Sequence, residues 1–277
     1  MSFSVNTNTG AQVALQYLNA TQGQLDKTQS AVNSGLKVAS AKDDGAIYAI
    51  AQNQRGAVAG FQSVINSLNN GSSAIDVALS AGQSISDLLI QLKQKALSAA
   101  DPSLDTASRQ ALNSNFTALR DQITTIVKNA VFNGINLVDG STTQITALAS
   151  SDGTRRITTS AQKLALSSTI VTLTQTATIS TQAKASTLVA TIQSSLTNVN
   201  SALAKLSAGA AKFSIQATFA QNLSDTLKIG IGHLVDANMA EESASLQALQ
   251  VKQQLGVQAL SIANQAPQTL VGLFQGG

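Results

Sequence analysis

The sequence predicts a mainly α fold: an elongated antiparallel coiled-coil rod of long helices with one small β-hairpin, its N- and C-terminal helices paired. Three observations carry this expectation. Apolar residues recur seven apart through both ends of the chain, the middle breaks into short alternating runs, and neither end carries a charged side chain.

The elements follow in order. Ala11, Leu18, Leu25 and Val32 form a seven-spaced row beside Leu15, Gln22, Gln29 and Leu36, which predicts a first helix over 11–36. A second helix spans 57–99, with Leu68, Ile75, Gly82 and Leu89 on one row and Val64, Gly71, Ala78, Ile85 and Leu92 on the other. "DPSLD" (101–105) turns the chain, because Pro102 suits a turn and Asp101 or Asp105 can cap the next helix. That third helix, 105–130, carries Leu112, Phe116, Leu119, Ile123 and Ile126.

After "FNGINLVDGS" (132–141) the period changes. "QITALASSDGTRRITTS" alternates on both sides of Asp152-Gly153, the pattern of a β-hairpin. From 141 to 187, 21 of 47 residues are Ser or Thr. That density argues for an exposed, variable region without a packed core, suited to O-linked glycans or to a plain hydrophilic linker.

The longest pattern follows: Ile192, Val199, Leu206, Phe213, Ala220, Leu227 and Leu234, with Leu196, Leu203, Ala210, Ala217 and Ile231 as companions. A last helix covers 237–274 with Met239, Leu246, Leu249, Leu255 and Leu260, and a bend is expected near Pro267. Heptads sustained this far call for coiled-coil packing. A helix over 188–236 is roughly 70 Å long, whereas a compact chain of this length is only about 50 Å across. A rod is the consequence.

Composition narrows the function. Charged residues are 11% of the chain, under half the usual quarter or so, so much of the surface is expected to be covered by other copies. Residues 1–25 and 253–277 hold no charge and are rich in Leu, Val, Ala, Gln and Asn. A charge in a buried helical interface would be costly to desolvate, so both ends are read as meeting inside a polymer. A net charge of +3 without a Lys/Arg run gives nucleic-acid binding little support. No apolar run is long enough to span a membrane, and "MSFSVNTNTG" has no signal-peptide pattern, so export without a cleaved signal is expected. There is no cysteine, and one histidine, His233, cannot build a histidine-rich metal site; no cofactor is expected.

"SGLKVASAKDDGAIYAIA" (34–51) concentrates the polar chemistry, and Ser34 and Lys37 have the S-x-x-K spacing of serine-acylating enzymes. The S-D-N and K-T-G partners of that chemistry are missing, and no base or phosphate loop supports the remaining fragments. A structural connector is the better reading, with Lys42, Asp43 and Asp44, and likewise Arg55 and Arg120, as polar subunit or cap contacts.

"VNTNTGAQVALQYLN" (5–19), "SGLKVASAKDDGAIYAIAQ" (34–52), "FNGINLV" (132–138) and "DANMAEESASLQALQVKQQLGVQALSIANQAPQTLVGLF" (236–274) together resemble the two ends of bacterial flagellins, in the short form of alphaproteobacteria. The resemblance implies a subunit that polymerises into the flagellar filament for swimming; a hook–filament junction protein is the alternative. It implies an inner coiled-coil domain from 1–44 and 237–277, and an outer helical domain from 45–180, with hairpin and variable stretch, and 181–236. Inner packing falls to Leu15, Leu18, Leu25, Val32, Leu36, Leu246, Leu249, Leu255 and Leu260. Outer packing falls to Leu68, Ile75, Leu89, Leu92, Leu119, Ile123, Val199, Leu206, Phe213 and Leu227.

The partners implied are other flagellin subunits, the export apparatus, a secretion chaperone at the C-terminal region, and the filament cap and hook-associated proteins, with neither nucleic acid nor membrane insertion. The place implied is the extracellular filament. Small residues on the rows, Gly71, Ala78, Gly82, Ala210 and Ala217, are expected to permit close approach and small sliding between subunits. In many members "LQRVRELAVQ" is the surface seen by a host receptor. Here "LIQLKQKALS" (89–98) places Gln91 where a key arginine is expected and Lys95 where a leucine is, and Asn115 replaces a glutamate, so weak activation is expected.

Overall fold

The structure is a computed structural model that describes residues 7–275, with side chains described through 265. Five helices hold most of the chain: α1 (Thr9–Ser34), α2 (Gly45–Ala99), α3 (Thr106–Asn129), α4 (Gln182–Val235) and α5 (Met239–Gln275). Four short strands lie between α3 and α4: β1 (Val131–Phe132), β2 (Ile135–Asn136), β3 (Gln144–Leu148) and β4 (Arg156–Ser160). Contacts divide the chain into two units, 1–56 with 227–277 and 57–226. At 54 residues, α4 is a helix about 80 Å long.

Side-chain caps decide where the helices begin. Asn8 Oδ1 accepts the Ala11 amide at 3.0 Å to start α1, and Asp105 Oδ1 accepts the Ser108 amide at 2.8 Å to start α3. Helix α2 begins at Gly45 rather than near 57, because Asp44 Oδ1 accepts the amides of Ala46 and Ile47, both at 3.0 Å. Helix α4 begins at Gln182 rather than 188, where Thr181 Oγ1 accepts the Lys184 amide. Asn238 Oδ1 accepts the Ala240 amide at 3.2 Å, and Glu241 and Glu242 complement the first turn of α5. The helical assignment of α5 continues unbroken through Pro267, whose side-chain surroundings lie outside the described residues.

The core of the 57–226 unit is an antiparallel seam between α2 and α4. On α2 the buried positions alternate three and four apart, through Phe61, Val64, Leu68, Gly71, Ile75, Ala78, Gly82, Ile85, Leu89 and Leu92. On α4 they run through Ile192, Ser195, Val199, Ala202, Leu206, Gly209 and Phe213. The companion row on α4 is therefore Ser195, Ala202 and Gly209, one residue before the expected Leu196, Leu203 and Ala210, which are half-buried.

Small residues there admit large neighbours. A Cβ at Gly71 would overlap the Phe213 ring, one at Gly82 would lie 2.6 Å from Leu203 Cδ2, and one at Gly209 would overlap Thr159. The close approach expected at Gly71 and Gly82 is thus made within one chain.

The Ser/Thr-rich stretch is the main departure from expectation. Leu164, Leu166, Val171, Leu173, Ala177 and Ile179 are buried, so the segment between β4 and α4 is part of the core rather than a solvated linker. Buried polar groups fasten it. Asn113 Oδ1 on α3 accepts the Ile179 amide at 2.7 Å, Arg120 Nη1 donates to the Ala177 carbonyl at 2.7 Å, and Ser195 Oγ accepts the Thr172 amide at 3.0 Å. Arg120 also pairs with Asp121 at 2.7 Å. It is a buried fastener, not the surface contact the sequence implied.

Strands β3 and β4 form the expected antiparallel hairpin, with Ile145 opposite Thr159 and Ala147 opposite Ile157. An additional two-residue hairpin pairs β1 with β2 through Asn133 (φ 48°) and Gly134 (φ 79°), the left-handed pair a type I′ turn requires.

Two tests follow from this packing. Gly71→Ala should destabilise the 57–226 unit by about 1–3 kcal/mol through overlap with the buried Phe213 ring, although alanine is the better helix former by about 1 kcal/mol. Gly56→Ala, with nothing within 4 Å, should not destabilise the chain; thermal melts of both variants check the contrast.

The hairpin turn supplies a pH test. Asp152 is held at a pKa of about 2, below its ordinary 3.8, by the Ser150 hydroxyl first and then by the amide and hydroxyl of Thr154. Its folded-state pKa is depressed, so its contribution is complete above 3.8 and is lost as pH falls through about 2. The Thr154 amide NMR shift should titrate near 2; a midpoint near 3.8 would contradict this.

Candidate assembly surfaces

Helices α1 and α5 pair along a heptad seam of small and amide side chains. On α1 the inward positions are Ala11, Ala14, Leu18, Thr21, Leu25, Thr28 and Val32; on α5 they are Leu246, Leu249, Gln253, Gly256, Leu260 and Ala263. Of the expected inner residues, Leu25 and Leu249 are buried at 5% and 7% exposure, and Leu18, Val32, Leu36, Leu246 and Leu260 are half-buried. Leu15 and Leu255 lie outside the seam, because the row completing the α1 heptad is Ala14, Thr21 and Thr28, one residue before the expected row.

Three contacts fix the register of this pair. Gln253 Nε2 donates to Gln22 Oε1 at 2.6 Å, Asn8 Nδ2 donates to the Ala263 carbonyl at 2.7 Å, and Gly256 lies against Leu18. A lone helix pair in water normally sets charges on the positions farthest from its seam. Here those positions on α5 hold Val251, Leu255 and Ile262, which are 55%, 58% and 70% exposed. Helix α1 likewise exposes Val13, Leu15 and Tyr17. These faces have the chemistry of an interface.

The connector between α1 and α2 is built from turn chemistry. Gly35 takes φ 72° and its amide donates to the Ala31 carbonyl at 2.8 Å, ending α1. The amide of Lys37 then donates to the Val235 carbonyl at 2.8 Å, and that of Ala237 to the Gly35 carbonyl at 2.9 Å, bridging the segments after α1 and α4.

Ser34 and Lys37 do not meet. The Ser34 hydroxyl donates to the Ser30 carbonyl at 2.8 Å and the Lys37 ammonium to the His233 carbonyl at 3.2 Å, so among the described residues no general base bonds the serine. Asp43 Oδ2 accepts the amides of Ala39 and Ser40 and the Ser40 hydroxyl, and the Ser40 amide foremost holds its carboxyl below the ordinary range. Asp44 caps α2, while Lys42 is exposed. The motif therefore folds as a connector whose acids serve its own backbone.

On the 57–226 unit, Leu68, Ile75, Leu89, Leu92, Ile123, Val199, Leu206 and Phe213 are buried and Leu119 is half-buried. Leu227, just beyond that unit, is also half-buried. Gln91 and Asn115 are exposed and Lys95 is half-buried. Ile215 and Phe219 project from α4 at 70% and 57% exposure.

Sequence reasoning missed Asn113, Arg120 and Ser195 as fasteners of the segment before α4. A signal was present: Leu164 and Leu166, and after a turn Val171, Leu173, Ala177 and Ile179, follow period two within each run, the mark of extended segments with one buried side.

Comparison with known proteins gives these surfaces a context. Residues 5–143 match the bacterial flagellin N-terminal helical region and residues 189–274 the bacterial flagellin C-terminal helical region. The chain is 49% identical over 272 residues to flagellin FljK of Caulobacter vibrioides, covering 98% of each chain. It is 34% identical over 283 residues to a flagellin of Brucella melitensis, covering 99% of each. A crystal structure of Bacillus cereus flagellin aligns at a TM-score of 0.45 and 20% identity, over 57% of this chain and 86% of that one. Full-length relatives named as flagellins favour a filament subunit over the hook–filament junction protein. The chain belongs to the bacterial flagellins, of the alphaproteobacterial type, and is a structural subunit of the flagellar filament rather than an enzyme.

Proposed function

We propose that residues 1–44 and 237–277 form the inner coiled-coil domain of the filament and that 45–180 and 181–236 form its outer domain. The observation that supports this most directly is the apolar outer face of α5, uncharged beyond Lys252, with Val251, Leu255 and Ile262 at the positions water would normally claim. In the filament those side chains pack against the α1 and α5 helices of neighbouring copies. Before that, the subunit passes through the flagellar export apparatus, its C-terminal region held by a secretion chaperone. It then folds beneath the filament cap and joins the hook-associated proteins at the base. The partners outside the filament follow from membership in the family.

The receptor-facing stretch supports a further reading. Gln91, Lys95 and Asn115 replace the arginine, leucine and glutamate that the family's receptor surface uses, so this subunit activates the host receptor weakly. Reporter cells should respond far less than to an enteric flagellin, and Gln91→Arg should raise the response; an unmodified response of enteric strength would contradict this.

Filament packing is tested by the paired change Leu255→Asp/Ile262→Asp. The variant should remain folded in its 57–226 unit, with an unchanged melt for that unit, and should fail to elongate seeds under electron microscopy. Filaments of normal length from this variant would refute the assignment of the inner domain.

A further inference from the structure

Most of the second half of the 57–226 unit carries charge of one sign only, whereas α2 and α3 carry both. From 153 to 224 there is no Asp or Glu, while Arg155, Arg156, Lys163, Lys184, Lys205 and Lys212 all fall there. The acids of the unit lie mainly earlier, with Asp76 and Asp87 on α2 and Asp121 on α3.

Two pairs stand out. Lys205 and Lys212 are exposed, sit seven residues apart on one row flanking the α4 seam, and so lie about 10 Å apart. Asp76 and Asp87 are exposed, eleven residues and about 16 Å apart, on the side of α2 opposite its seam. Among the described residues none of the four makes an ion pair or a side-chain hydrogen bond. Each face also carries large exposed apolar groups, Phe219 further along the lysine row and Ile90 beside the aspartates.

We infer that the α4 face of one copy docks on the α2 face of the next, with Lys205 and Lys212 set against Asp76 and Asp87. This rests on the filament reading above and adds the electrostatic rule that sets which lateral faces meet. Two different, complementary patches on one chain make a heterologous contact, which extends a helical array when its rotation does not close into a ring. Like faces, lysines on lysines or aspartates on aspartates, repel, so the pairing specifies orientation as well as adhesion. In a chain this poor in charge, few competing ion pairs dilute that rule.

The test is seeded polymerisation of the purified full-length chain, read as the monomer concentration left at equilibrium. Lys205→Glu/Lys212→Glu should raise that concentration about tenfold at low salt. The difference should shrink at 0.5 M salt, where the screening length falls well below about 8 Å. Asp76→Lys/Asp87→Lys should do the same, and the four changes together should recover assembly.

Lys205→Gln/Lys212→Gln, with an unchanged thermal melt, should show a smaller rise and guards against a folding defect. Single-face reversals that polymerise like the unmodified chain at low salt, or a fourfold variant no better than either pair, would overturn the inference. Unaltered polymerisation with lost retention on heparin beads would likewise overturn it, assigning the lysines to a soluble polyanion. Absence of any fibre from the unmodified chain would instead sink the filament reading.

Discussion

A pair of helices can bury only one stripe of each, and α1 and α5 carry apolar side chains on more than one. Their shared seam is thin. Leu25, Ala31 and Leu249 are the buried apolar residues of the two helices among those described, and Thr21, Thr28, Gln253 and Gly256 fill positions that a self-sufficient coiled coil would give to Leu or Ile. Val251, Leu255 and Ile262 point away from that seam, and Lys252 is the last charge before the end of the chain. Burying one such side chain gains about 1.5–3 kcal/mol, and in the inner-domain packing proposed above further copies of the same surface supply what the pair lacks.

The 57–226 unit shows the contrast. Its helices interlock through Phe213 over Gly71 and Leu203 over Gly82, and Arg120, Asn113 and Ser195 tie an irregular segment into the same core. Every large apolar position of the α2 seam is buried within one chain. The α2–α4 core of this unit is therefore completed within one chain. The connector motif fits the same division, because Asp43 and Asp44 satisfy their own turn and helix cap and leave Lys42 to solvent.

The long helices were legible because heptads announce themselves wherever Leu, Ile, Val and Phe fall seven apart, as Ile192, Val199, Leu206 and Phe213 do. The companion rows were not, because packing selected small residues over large ones. Ala14, Thr21 and Thr28 face inward while Leu15 faces out, and Ser195 and Gly209 lie deeper than Leu196 or Ala210. Close approach of two backbones favours the smaller side chain at alternate layers, and hydrophobicity alone cannot show that. Helix starts were misplaced where a cap outweighed periodicity, at Asp44 and Thr181. The buried run Leu164 to Ile179 was hidden by composition: its serines and threonines dominate the count, while its period-two apolar residues carry the packing. Arg120 gave no sequence cue, since its partners are a carbonyl 57 residues away and the adjacent Asp121.

The account rests on α1 and α5 being stable only among neighbours. Hydrogen exchange measured on the dilute monomer and on the assembled filament tests this most directly. Amides of α1 and of α5 should exchange rapidly in the monomer, while those of α2 around Ile75 and of α4 around Leu206 are already protected, and assembly should slow the terminal helices by orders of magnitude. Equal, strong protection of α1 and α5 in the monomer and the filament would contradict the account.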